Sequence, residues 1–285
     1  MKHRILLALT AIAIQNSAYA IDLSKLLTTE NINAAGSIVS NVLESNKTIT
    51  PAQEQTLGYS VMANLLGAEP LVKDPALQRY VNQVGMWVAS QSSEPNLPWR
   101  FGVIDSPNIN SFAAAGGYIL ITRGLWDRLT SEAELAGVLG HEISHVIRKD
   151  QIRAMQSDRL QQATAQSINL YAEIKNVQGG QKLASTLGKA GSEVFVRGLD
   201  KNDEYSADIN GMVLAARAGY NPYALVSVLQ LLGAVNPSDG TVALMFSTHP
   251  SPKDRLDNID RTIGDQLEPY ANGVESTKRF NQVKR

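Results

Sequence analysis

Apolar and polar positions alternate along this chain with two different periods, and the change of period marks out its elements. Thr50-Pro51 opens a helix to about Gly67, with Thr50 as cap, Pro51 in the first turn and Gln53 completing a capping box. Asp74-Pro75 opens a second helix, in which Leu77, Tyr80, Val81, Val84 and Val88 fall on one face at helical spacing. The period then shortens. Arg100 to Ile104 and Tyr118 to Thr122 read as strands, with an extended stretch from Asn110 to Ala115 between them and a bend at Gly116-Gly117. Residues 100–122 are therefore expected to form a small antiparallel sheet.

Helical spacing returns at Ser131-Glu132-Ala133-Glu134, which reads as a capping box. Leu135, Leu139, Ile143 and Val146 make the core face of that helix, and His141 and His145 fall on the opposite face. Residues 151–200 are polar and Gln/Ala-rich, with helical stretches at about 152–176 and 181–198; they read as a lid or an insertion. Asp203 is expected to cap a helix from Glu204 to Ala218 that stops at Gly219. Asn221-Pro222 is expected to start the next, whose core stripe is Leu225, Val228, Leu229 and Leu232. Asn236 to Gly240 reads as a turn, 246–252 as a loop, and about 252–264 as a last helix carrying Arg255. The tail, 265–285, is polar and expected to be partly disordered. The fold class is α+β, mainly α-helical, with the small sheet next to the histidine-bearing helix.

The N-terminus follows another logic. Lys2 and Arg4 precede ten apolar residues, Ile5 to Ile14, and Ala18-Tyr19-Ala20 is a small-x-small site. Residues 1–20 are expected to be a secretory signal peptide cut after Ala20. The apolar run is too short to span a membrane, which takes about 20 residues, and no later stretch reads as a transmembrane segment. Residues 21–50 read as an N-terminal helical segment, and 51–264 as one catalytic domain without internal repeats or an appended interaction module. A net charge of −1 gives no basic field for nucleic acid. The chain has no cysteine, so neither disulfides nor thiolate ligands enter the chemistry. An exported protein, placed in the periplasm, is the expectation.

The chemistry is concentrated in His141-Glu142-Ile143-Ser144-His145. Histidines four apart on a helix project from one face and can hold one metal ion. Glu142, turned by roughly 100° around the helix, is placed to accept a proton from an activated water rather than to bind the metal. Gly137 and Gly140 each cost the helix roughly 1 kcal/mol relative to alanine. Close approach of another segment to the metal face is one reason for them, and a face left open for a peptide is the functional form of it. A catalytic zinc takes three protein ligands and one open position. Acids downstream are candidates, and Glu204 stands out because Asp208 lies four residues on, on the same helical face. Of the four histidines only His141, His145 and His249 remain after loss of the signal peptide, which singles out His249.

Glu204-Tyr205-Ser206-Ala207-Asp208 after H-E-x-x-H resembles the CAAX-prenyl-protease/HtpX/BepA-like zinc metallopeptidase family, in its soluble exported bacterial branch. Asn110-Ser111-Phe112-Ala113, Gly116-Gly117-Tyr118, Thr122-Arg123-Gly124-Leu125 and His249-Pro250 with Arg255 resemble further motifs of that family, over about residues 50–262. Ser111 stands where the family usually has alanine. The resemblance implies a zincin-like (gluzincin) fold and one Zn²⁺ held by His141, His145 and Glu204. It implies Asp208 as hydrogen-bond partner of a liganding histidine, Glu142 as base, and Asn110 to Ala113 as a strand that pairs with substrate. His249 either stabilises the oxyanion or fills a fourth metal position at rest, and Arg255 assists the oxyanion or orients nearby loops. The expected function is a zinc metalloendopeptidase acting on unfolded or misassembled exported proteins; an envelope assembly factor or chaperone with latent, gated activity is the alternative. Extended polypeptides are the expected partners, with outer-membrane protein assembly machinery as a second partner class.

Overall fold

The computed structural model describes residues 49–156, 199–236 and 239–284. The expected signal peptide (1–20), nearly all of the segment 21–50 and most of the lid or insertion (151–200) lie outside the described residues.

Helix α1 (Pro51–Ala68) starts with the capping box at Thr50 and Gln53. Helix α2 (Pro75–Ala89) is capped by Asp74, whose side chain accepts from the backbone N–H of Ala76 and Leu77. Its five stripe residues are all buried. Strands β1 (Arg100–Ile104), β2 (Ser111–Ala114) and β3 (Tyr118–Thr122) form a sheet in the order β1-β3-β2. β2 and β3 are antiparallel, but β1 runs parallel to β3. The sheet is therefore mixed and not the all-antiparallel one expected from the sequence. The loop after Ile104 carries the chain across to the far edge, β2 returns, and β3 then fills the middle in the direction of β1. Alternation reports which face a residue takes but not strand order. The β2–β3 bend is made by Gly116 and Gly117 at φ 79° and 96°, a region that a Cβ disfavours.

The two faces of the sheet are covered by different helices. Phe112, Ala114, Tyr118 and Leu120 pack with Met62 and Leu66 of α1. Ala113, Ile119 and Ile121 pack toward α4 (Glu132–Arg148) and its Leu135, Leu139 and Ile143. Between them, α3 (Arg123–Trp126) follows β3 directly. Helix α4 is buried from Glu132 through Val146, histidine face included. Ser131 caps it by accepting from the N–H of Glu134, but the Glu134 carboxylate reaches back to the N–H and hydroxyl of Thr130, one residue beyond the expected capping box.

Helix α5 (Asp150–Gln156) follows α4 after Lys149, which adopts a left-handed conformation. Helix α6 (Lys201–Arg217) is capped by Asp200 rather than Asp203 and stops before Gly219 at φ 87°. Helix α7 (Ala224–Gly233) starts two residues after Pro222, because the Asn221 side chain folds back to accept from the N–H of Tyr223. A 3-10 turn (Gly240–Val242) leads into α8 (Ala243–Thr248), so the expected loop from 246 begins only at His249. Helix α9 (Pro252–Ile263) is as expected.

The tail is structured over residues 265–284, against expectation. Helix α10 (Thr277–Val283) buries Phe280 completely, against Trp126 with ring centroids 4.6 Å apart. Its Arg279 pairs with buried Glu132, which also accepts from the hydroxyls of Tyr80 and Tyr220 at 2.5 and 2.7 Å. Phe280 and Arg279, in a short polar helix, leave no periodic signal, yet here they anchor it to the start of α4.

Helices α4 and α6 touch through backbone. A Cβ on Gly140 would lie 2.8 Å from the Gly211 carbonyl oxygen, and one on Gly211 would lie 2.7 Å from the His141 nitrogen. Gly137 faces Leu225 of α7 in the same way. The protein's own helices fill the face expected to stay open for a peptide. Gly211→Ala is therefore expected to lower stability by ~1–3 kcal/mol, as other overpacked contacts do, and to move Glu204 and Asp208 away from His141. Urea denaturation of variant and parent checks it; equal midpoints would rule out the tight contact.

Candidate functional site

His141 and His145 project from α4 so that their Nε2 atoms stand 3.1 Å apart. Each ring is held from behind. The Nδ1 of His141 lies 2.9 Å from Asp208 Oδ1, and the Nδ1 of His145 lies 2.9 Å from Asp150 Oδ2. A carboxylate at Nδ1 fixes the tautomer with the proton on that nitrogen, so each Nε2 presents a lone pair. Two lone pairs at that separation repel unless a cation lies between them.

Glu204, on the first turns of α6, completes the group. Its Oε2 lies 3.6 Å from His141 Nε2, and its Oε1 lies 3.6 Å from His145 Nε2. Oε1 is buried without a hydrogen-bond partner among the described residues, which is costly for a carboxylate unless a cation supplies the missing interaction. Bonds of about 2.0–2.1 Å to one ion give a tetrahedral edge of roughly 3.3 Å, close to these separations. His141, His145 and Glu204 therefore fit a single metal ion. His249, the cap residue of α8, places its Nδ1 2.6 Å from Glu204 Oε2. His141, Glu204 and His249 offer ligand atoms that all lie within 4.8 Å of one another.

The electrostatics agree with that donor set at His141 and Glu204, whereas the carboxylates around His145 favour a positive charge there, which a bound metal ion would supply. Burial and the Arg255 guanidinium lower the pKa of His141, keeping the ring neutral, although Asp208 acts in the other direction. Burial also opposes charge on His145, but Asp150, Glu204 and Glu142 raise its pKa above the ordinary value. Burial opposes ionisation of Glu204 too; His249 and the two motif histidines outweigh it and hold the carboxyl well below the usual range. Asp208, equally buried, is held low by Arg255 and His141.

Glu142 is buried beside the histidines and accepts a 2.6 Å hydrogen bond from the Ser111 hydroxyl. Ser111, Phe112 and Ala113 lie on β2, at the edge of the sheet. The Asn110 carbonyl accepts from Thr122 N–H, so by alternation the backbone groups of Ser111 and Ala113 turn away from β3. The Ala113 carbonyl already accepts from the Gln151 side chain. Asn110 is buried, and its Oδ1 has no hydrogen-bond partner among the described residues. An apolar hollow lined by Val138, Leu225, Val228, Leu232 and Met245 lies beside His141 and His249.

Arg255 of α9 borders the hollow beside His141 and His249. Its Nε and Nη2 donate to Asp208 at 2.9 and 2.5 Å, behind the His141 ring, and Nη2 also lies 3.3 Å from His141 Nδ1. Asp150 was not singled out by sequence reasoning. Its signal was an acid five residues after the second motif histidine, next to a helix stop. Asp150 also meets Arg148 and Arg153, both of which pair with Asp203 next to Glu204. Asp203 thus ties α6 to α4 and α5 instead of capping its own helix.

Known proteins place this geometry. The chain is 30% identical over 245 residues to the β-barrel assembly-enhancing protease of Escherichia coli (strain K12), covering 84% of this chain and 49% of that protein. It is 30% identical over 215 residues to the putative β-barrel assembly-enhancing protease of Vibrio cholerae, covering 74% and 44%. The mitochondrial metalloendopeptidase OMA1 of Arabidopsis thaliana is 29% identical over 168 residues, covering 59% and 32%. The chain spans about half the length of the bacterial relatives it matches. The family model described as peptidase family M48 matches residues 75–263, the span that contains every site residue named above, and this chain belongs to that family.

Proposed function

We propose that this chain is a zinc-dependent metalloendopeptidase that cleaves extended segments of unfolded or misassembled envelope proteins in the periplasm. One observation carries the reading: two Nε2 lone pairs and an orphaned buried carboxylate oxygen converge beside Glu142 and an edge strand. His141, His145 and Glu204 hold the Zn²⁺, one per chain. Asp208 and Asp150 orient the two rings from behind. The bound ion supplies Lewis-acid polarisation of the scissile carbonyl and acidifies the attacking water.

Everything else is done by the chain's own residues. Glu142 accepts the proton of the attacking water and delivers it to the leaving amine. The outward backbone groups of Ser111 and Ala113 pair with an extended peptide, which gives affinity with little sequence demand. Asn110 Oδ1, without a hydrogen-bond partner among the described residues, accepts a backbone N–H of that peptide. The apolar hollow beside His249 takes one of its apolar side chains. His249, whose Nδ1 lies 2.6 Å from Glu204 Oε2, would serve as a fourth ligand at rest and give way when substrate enters. Arg255 acts on His141 through Asp208. Among the described residues no helix is long and apolar enough to cross a membrane, and the N-terminal apolar run supports export.

The test uses the mature chain, zinc-loaded, with casein as an unfolded substrate. Cleavage that stops with a chelator and returns with added Zn²⁺ is expected; no cleavage, or cleavage indifferent to the chelator, would sink the reading. A second reading is an assembly factor whose cutting is latent. It is favoured by the occupation of Glu204 by His249 and of the Ala113 carbonyl by Gln151. A strain lacking the protein and fully rescued by Glu142→Gln would favour that second reading.

A further inference from the structure

The Ser111 hydroxyl on the edge strand donates to Glu142, and at 2.6 Å the contact has the length of a charge-assisted O–H···O⁻ bond. Ser111 is half-buried, Glu142 is buried, and both border the cleft that also holds Ala113, Gln151 and His249. We propose that Ser111 is a positioning residue for Glu142, and that it couples alignment of the substrate strand to alignment of the base. This rests on Glu142 being the base.

The argument starts from the freedom of the side chain. A glutamate reaches its carboxylate through three rotatable bonds, and an unheld carboxylate spreads over several rotamers. Glu142 projects from a rigid, fully packed helix, so only those side-chain torsions remain to be fixed. The Ser111 hydroxyl holds Oε1. Among the described residues no corresponding tie holds Oε2, which is left to receive the proton of the attacking water. Ser111 itself has one rotatable bond before its oxygen and sits on a strand whose position is set by its pairing with β3. Its own backbone groups face the edge where a peptide would pair. The residue that sets the register of the peptide is thus the one that sets the orientation of the base. An alanine at this position would keep the strand and lose the coupling.

Ser111→Ala is expected to lower kcat on an unfolded substrate about tenfold, in line with loss of a hydrogen bond to a charged group, with KM and zinc content within about twofold of the parent. Ser111→Thr, which keeps the hydroxyl, is expected to restore most of kcat. A crystal structure of each metal-free protein gives a readout independent of activity: one Glu142 rotamer on Ser111 in the parent and several in Ser111→Ala. Parent-level kcat in Ser111→Ala, in a preparation where Glu142→Gln is inactive, would overturn the positioning role and leave the peptidase reading intact. Equal spread of the carboxylate in both crystals would also overturn it. Activity surviving in Glu142→Gln would overturn both.

Discussion

Replacing Glu142 with Gln is expected to abolish peptide hydrolysis, by about a thousandfold or more, in a protein that keeps its fold and its metal. Gln matches Glu in volume, and its amide oxygen can still accept from the Ser111 hydroxyl, so the 2.6 Å contact survives. What it cannot do is accept a proton. General acid–base groups contribute about 10²–10⁴ in rate, and here the same carboxylate both takes the proton and returns it to the leaving amine. None of the three proposed metal ligands is altered: His141 and His145 keep their partners at Asp208 and Asp150, and Glu204 lies on a different helix. The checks are kcat on a fluorogenic peptide, zinc per chain by atomic absorption and a thermal melt. Activity within tenfold of the parent would remove Glu142 from its role. Loss of zinc would mean that Glu142 is a ligand and would remove it from its role as base.

The readable and the unreadable parts of this molecule divide along physical lines. The helix stripes, the caps at Thr50 and Asp74 and the burial of α4's apolar face depend on neighbours within a turn or two, and local spacing reports them. So does the pair His141 and His145. Strand order is different: the parallel pairing of β1 with β3 is decided by where a six-residue loop crosses, and no residue of either strand encodes it. Asp150 was missed because its reach to His145 depends on the left-handed turn at Lys149, a residue with no special liking for that conformation. The ordered tail was missed because Phe280 and Arg279 are defined by their partners, Trp126 and Glu132, about 150 residues earlier. The glycines of α4 were legible as a close contact but not as to its partner. Gly211 is the matching residue, and two glycines 71 positions apart become a motif only when the helices cross. Arg255 was legible as part of a motif, but which carboxylate it would meet was not.

Asp208→Ala is expected to destabilise the metal-free protein by ~3–5 kcal/mol and to weaken zinc binding about 10–100-fold. Asp208 is fully buried and accepts from Arg255 through both oxygens while one of them also meets His141 Nδ1. Removing one partner of a buried ion pair leaves the other charged and unsolvated, which is the costly case. Losing the carboxylate behind a liganding imidazole frees the ring and its tautomer, and such losses cost metal affinity by that factor. Acid should act in the same direction. The Asp208 carboxyl is held below its usual range in the fold, by Arg255 and His141 against burial, whereas in the unfolded chain it titrates near 3.9. Its contribution is therefore complete above about pH 4 and is lost as pH falls toward the folded value; the gap between parent and Asp208→Ala should narrow below pH 4. The double replacement Asp208→Leu with Arg255→Met separates the two effects. It removes both charges, so most of the stability should return, while His141 stays unheld and zinc affinity stays low. Urea denaturation of the metal-free proteins and competition with a chromophoric chelator measure the two quantities independently. If affinity returned together with stability, Asp208 would be acting through packing alone and not through the orientation of His141.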